Sequence, residues 1–315
     1  MPTSAWPDTS TCMRLRTPDG HRLHVRLCGP GTGEPWVVLH GGPGSGCSPS
    51  MADWFDPLWH RVVLPDQRGA GHSRPAGSRR RNAVGALLAD LEQLRTTLGI
   101  ARWGVVGGSW GAALALAYAD RFPDAVAALV LRGTFLIGFD DVQALFNARG
   151  AGRGLLRGVD RRGTGFPGAR GRLLVATDML QAGTPVQKLN IATQWQQAER
   201  RLLGLPLAGN RQTWPQQRAL LHKYALQAHY LVGRAGLGKA ALLRAAVRIG
   251  ASGLPVTLLH GRQDNVCRSD NALRLQALMP QARLVWVPGG HLATGEMAQA
   301  LRDAIRAAAW SIPAR

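Results

Sequence analysis

Cysteine is scarce in this chain: Cys12, Cys28, Cys47 and Cys267 are all that 315 residues contain. They lie far apart with no CxxC pair, which excludes a disulfide-stapled scaffold, makes zinc unexpected and suits a reducing cytoplasm. Lysine is scarcer still, standing only at Lys188, Lys223 and Lys239, so the formal net charge of +19 is almost wholly arginine. An excess of that size raises nucleic acid or a membrane surface as a partner. No basic box interleaved with aromatics accompanies it, so the arginines read as a solvated surface and neither partner is expected. Long apolar runs are missing too. Nothing approaches the roughly 20 residues of a membrane span, and residues 1–16 are polar with no secretory signal visible. A cytoplasmic location is the expectation.

Apolar residues make up 45% of the chain, with glycine and proline dispersed, the composition of a globular protein that can bury a large core. "MRLRTPDGHRLHVRLCG" (13–29) reads as a hairpin turning at Pro18-Asp19-Gly20. "WVVLHGGPG" and "HRVVLPDQRGAGHS" each run from a buried strand into a glycine loop. "NAVGALLADLEQLRTTLG" has helical spacing closed by Gly99. From about Leu136 to Gly250 the pattern turns helical, as in "IATQWQQAERRLLGL" and "QRALLHKYALQAHYLV", with a mobile loop expected over the glycine- and arginine-rich residues 149–172. After Gly253 strands resume with "PVTLLHG" and "RLVWVPGG", and a last helix is expected to reach Trp310. Alternating strands and helices predict an α/β architecture, a mostly parallel sheet flanked by helices. Residues 1–135 and 251–315 would form its core, and 136–250 an inserted helical cap.

"VVGGSWGAALALAYA" (105–119) carries the first chemical signal. A strand-like run meets an alanine- and leucine-rich helical run, and Ser109 stands at the corner inside G-x-S-x-G. That elbow lifts a hydroxyl above the end of a sheet. A hydroxyl needs a base, and a histidine base needs a carboxylate to hold its tautomer. Active groups in such sheets gather at the carboxyl ends of strands. Asp264 follows "VTLLHGRQ" and His291 follows "VWVPGG", so this acid and histidine both meet that rule, in the order serine, acid, histidine. Asp270 is the reserve acid, and it reads better as a helix cap. "HGGPG" (40–44) follows an early strand, where backbone N–H groups of Gly42 and Trp110 would serve a developing oxyanion.

With those residues identified, the chain resembles the proline iminopeptidases of the α/β-hydrolase fold. "HGGPG", "DQRGAGHS", "GGSWGAALALAYADRFP", "LVLRGTF", "GRQDNVC" and "GGHLA" occur in that family's order. The resemblance implies an α/β-hydrolase core with a helical cap and a Ser109–Asp264–His291 triad. It also implies release of an N-terminal proline from a small peptide or aminoacyl substrate, without cofactor or metal. Phe135, Cys267 and Gly41 would line the substrate pocket. Two cap glutamates of the family would hold the substrate amine; "ATQWQQAE" carries the first to Glu199, and "LQAHYL" matches the second with Gln227. A glutamine lends no charge, so a substrate without a free amine is an open alternative: an ester, lactone or amide, cleaved or passed on by acyl transfer. A basic, non-enzymatic binding protein on the same scaffold is the remaining one.

Overall fold

The computed structural model describes residues 6, 10–146, 168–209, 212–233, 236–308 and 310. Among the described residues, eight strands form one sheet: β1 (Thr11–Arg16), β2 (Arg22–Cys28), β3 (Glu34–Leu39), β4 (His60–Pro65), β5 (Trp103–Gly108), β6 (Val126–Arg132), β7 (Val256–Gly261) and β8 (Arg283–Val287). Their order across the sheet is β1-β2-β4-β3-β5-β6-β7-β8. The β1–β2 hairpin and the β2–β4 pair are antiparallel, and every pair from β4 through β8 is parallel. Helices are α1 (Val84–Thr97), α2 (Trp110–Arg121), α3 (Phe139–Phe146), α4 (Ala169–Ala182), α5 (Pro185–Leu202), α6 (Trp214–Val232), α7 (Lys239–Ala251), α8 (Ser269–Leu278) and α9 (Glu296–Ala307).

Period-two alternation explains why both sheet faces are buried. Val37, Leu39, Val105, Leu129 and Leu258 enter one core with α1 and α2. Their strand neighbours Trp36, Val38, Val106, Val130 and Leu259 enter a second core, under α9. In the middle of the sheet, α2 presses directly on β3. A Cβ added at Gly111 would fall 1.9 Å from the Leu39 carbonyl oxygen, so only glycine permits the approach. That contact fixes where the helix starts, and with it the residue before the helix.

Among the described residues, five helices lie between β6 and β7. α4, α5 and α6 pack on one another and α3 packs on α4, whereas α7 packs against the core helices α2 and α8. Two local expectations change. Residues 149–167 of the expected mobile loop lie outside the described residues, and its end, from Ala169, is the first turn of α4. There, the arginines sit on a helix that buries Leu173, Ala176 and Leu180 at helical spacing. The last helix ends at Ala307, short of Trp310, because the Trp310 ring turns back to Trp36 at 5.2 Å. Among the described residues no helix is long and apolar enough to cross a membrane.

Candidate active site

Ser109 joins β5 to α2 with φ 55° and ψ −118°. A residue with a side chain held there costs about 1–3 kcal/mol, and such strain persists only where the surroundings impose it. Here they do. Gly107 and Gly111 let the strand and the helix pass within backbone contact, and Gly41 approaches the Ser109 Cβ from the glycine loop after β3.

Asp264 follows β7 and His291 follows β8, so three strand ends converge. His291 Nδ1 lies 2.7 Å from Asp264 Oδ2, with both side chains nearly closed to solvent. Asp264 Oδ1 accepts the backbone N–H groups of Val266 at 2.8 Å and Cys267 at 2.9 Å. The carboxylate is thereby clamped, and the imidazole must donate from Nδ1, which leaves Nε2 with a lone pair. Gly133 makes the room: a Cβ there would sit 3.0 Å from the imidazole and 3.2 Å from the carboxylate. Burial pushes the Asp264 carboxyl up, but its bond to His291 and the two amides bring it below its usual value. Burial also holds the His291 imidazole below its ordinary value; the Arg132 charge adds to this, while Asp264 and the more distant Glu199 oppose it.

The hydroxyl of Ser109 bonds the Cys267 thiol at 3.7 Å and not the imidazole. Hydroxyls rotate, and catalytic hydrogen bonds in empty sites are commonly long. Cys267 is buried, and burial pushes its thiol well above the usual range, so it stays protonated. Ligand-capable atoms of Asp264, Cys267 and His291 lie within 4.8 Å of one another. The donor set fits a metal poorly, because a metal needs the thiolate that burial disfavours and the carboxylate is already committed. Phe135 is buried in the same core as Cys267. Asp270 turns to Arg268 in the first turn of α8, away from the role of reserve acid.

The glycine loop and the helix start are tied together by Gln67. Its backbone N–H donates to His40 Nε2 at 3.0 Å, its side-chain amide donates to the His40 carbonyl at 2.9 Å, and its Oε1 accepts the Trp110 indole N–H at 3.0 Å. His40, two residues before Gly42, and Trp110 are thus tied together by Gln67 of the "DQRGAGHS" loop. Arg132, at the end of β6, donates to the His291 carbonyl and lies against Gly108. Gln67 and Arg132 lie inside the "DQRGAGHS" and "LVLRGTF" motifs, but the sequence does not show which partner each one meets.

In the helical layer, α5 brings Glu199 to α6. Glu199 accepts from Gln227 Nε2 at 2.5 Å, from Tyr224 OH at 2.8 Å and from Lys223 Nζ at 2.8 Å. The two residues expected to share a substrate group are therefore neighbours, with Lys223 as an additional partner.

Comparison with known proteins identifies the family. The α/β-hydrolase fold family profile matches residues 35–296. A proline iminopeptidase of Xylella fastidiosa is 37% identical over 280 residues, covering 87% of this chain and 88% of its own. One from Xanthomonas citri is 36% identical over 284 residues, covering 89% and 90%. The chain belongs to the proline iminopeptidase family of α/β-hydrolases. Solved structures place the family's fold more widely. An esterase from Exiguobacterium antarcticum superposes with a TM-score of 0.60 at 17% identity, covering 94% of this chain and 98% of its own. A haloalkane dehalogenase from Agrobacterium tumefaciens does so with 0.62 at 18%, covering 97% and 99%. At those identities the likeness is one of fold alone.

Proposed function

We propose that this chain is a serine hydrolase that forms an acyl-enzyme on Ser109 and releases an N-terminal proline, or a similar small aminoacyl residue, from a peptide or amide. The observation that carries this reading is the 2.7 Å bond between His291 and Asp264 at the sheet rim where Ser109 is held at positive φ. His291 Nε2 takes the hydroxyl proton as Oγ bonds to the substrate carbonyl carbon. The N–H groups of Gly42 and Trp110 hold the oxyanion. As the tetrahedral centre collapses, the carbon–nitrogen bond breaks and His291 returns the proton to the leaving amine. Water then repeats the sequence on the ester. Asp264 stabilises the imidazolium in both halves. Phe135, Cys267 and Gly41 bound the space for the acyl group.

The test is a fluorophosphonate probe with a proline arylamide, an N-blocked analogue and a simple aryl ester. Covalent labelling at Ser109 and hydrolysis of at least one substrate are expected; absence of both refutes the reading. A second reading, an acyl group without a free amine, is favoured by Gln227, which offers no charge where an amine would bind.

The reaction's pH dependence follows from His291. Its neutral form is the base, so kcat/KM falls as pH drops through its pKa. Burial and Arg132 hold that value below the ordinary 6.5, and the acid limb is expected to have its midpoint below pH 6.5. A profile of kcat/KM from pH 4 to 8 checks this, and a midpoint above that value contradicts it.

A further inference from the structure

Lys223 and Gln227 stand one helical turn apart on α6, so both reach the same Glu199 carboxylate on α5. Three resident donors already bond that carboxylate: Lys223 Nζ and Tyr224 OH on Oε2, and Gln227 Nε2 on Oε1. An ionised carboxylate has about four acceptor positions, so one remains. Its charge, moreover, is matched. The Lys223 ammonium is held 2.8 Å from Oε2 and also lies 4.8 Å from the centre of the Tyr224 ring.

Gln227 adds an independent sign. A carboxylate only accepts, so the amide nitrogen must be the atom that faces Glu199. The amide oxygen therefore points elsewhere, and it is buried with no hydrogen-bond partner among the described residues. Gln227 as a whole is 3% exposed. A buried carbonyl oxygen without a donor is uncommon and calls for an N–H or O–H from something that binds. The network also lies close to the chemistry. The glycine loop touches α6, since a Cβ at Gly44 would meet the Lys223 carbonyl oxygen at 2.9 Å and Leu226 at 3.0 Å. The field of Glu199 reaches His291 as well.

We infer that Lys223 is a built-in counter-cation that closes this subsite to a substrate ammonium, and that the acyl group it takes is uncharged and carries a neutral donor such as an acylated amide N–H. This rests on the acyl-enzyme reading and favours its second form, an acyl group without a free amine, over release of an N-terminal proline. A charged amine brought to Glu199 would face a like charge on Lys223 and a single open acceptor. A neutral N–H has the Gln227 oxygen to itself.

The experiment compares L-alanine p-nitroanilide with its N-acetyl derivative, which differ in charge and keep an N–H at the same atom. For the unaltered protein, kcat/KM is expected to be at least tenfold higher for the N-acetyl compound. Lys223→Met should shrink that ratio at least tenfold, chiefly through a lower KM for the free amine, and Lys223→Arg should preserve it. A preference of the unaltered protein for the free amine overturns the inference. So does an unchanged ratio in Lys223→Met when fluorophosphonate still labels Ser109. If Lys223→Met does not fold, the ratios for the unaltered protein and for Lys223→Gln decide. Loss of all labelling and of aryl ester hydrolysis in the unaltered protein would instead remove the acyl-enzyme reading itself, and this inference with it.

Discussion

Replacing Ser109 with alanine is expected to lower kcat by about 10⁴ to 10⁶, the range seen when a serine hydrolase loses its nucleophile. The change is chemically narrow. The hydroxyl's described partner is the Cys267 thiol at 3.7 Å, a weak bond, and the strained backbone at φ 55° remains for alanine as for serine. Stability should therefore move by no more than about 0.5 kcal/mol, as for substitutions that disturb neither packing nor strong bonds. Steady-state rates read beside a thermal melt separate the two effects. A variant that keeps its rate, or loses it only by unfolding, would show that Ser109 is not the attacking group. With Gly42 and Trp110 as the proposed oxyanion donors, some acceleration over water should survive.

Asp264→Asn should reduce kcat by about 10⁴, although it only exchanges one oxygen for an NH₂ of similar size. Asp264 Oδ1 serves two backbone N–H donors, and Oδ2 serves the imidazole. Asparagine has one acceptor oxygen for these duties. If that oxygen stays with Val266 and Cys267, the amide NH₂ faces His291 Nδ1 and forces it to accept. The ring proton then moves to Nε2, the position that must be bare to receive a proton from Ser109. If the amide flips, two backbone donors are left facing an NH₂ group, with a loss of stability of about 1–3 kcal/mol. Rates from pH 6 to 9 together with a melt distinguish these outcomes; a loss under tenfold with an unchanged melt contradicts the role given to the carboxylate.

The parts of the site that could be read from the sequence are those that local pattern determines. Ser109, Asp264 and His291 each follow a short apolar run that ends in glycine or turn residues, and the sheet converts that shared position into proximity. Elements whose role depends on a distant partner were not legible in the same way. Arg132 looks like a strand terminus until the fold sets it against the His291 carbonyl. Lys223 looks like a solvated helix residue until α5 brings Glu199 across. Gln67 is one polar residue in a loop until His40 and Trp110 close around it. The start of α4 was hidden by glycine and arginine, whose low apolar content masks a helix that buries only one narrow stripe. The end of α9 was misplaced because Trp310 serves the second core from beyond the helix.

Ser109, Asp264 and His291 hang from strand ends, while Glu199, Lys223 and Gln227 belong to α5 and α6. Under the proposed function, bond-breaking and selectivity belong to separable modules, one anchored at the strand ends and the other on helices between β6 and β7. Exchanging α5 and α6 for those of a relative would transplant taste without disturbing appetite: such chimeras should inherit their preferences from the donor and their reactivity from the recipient.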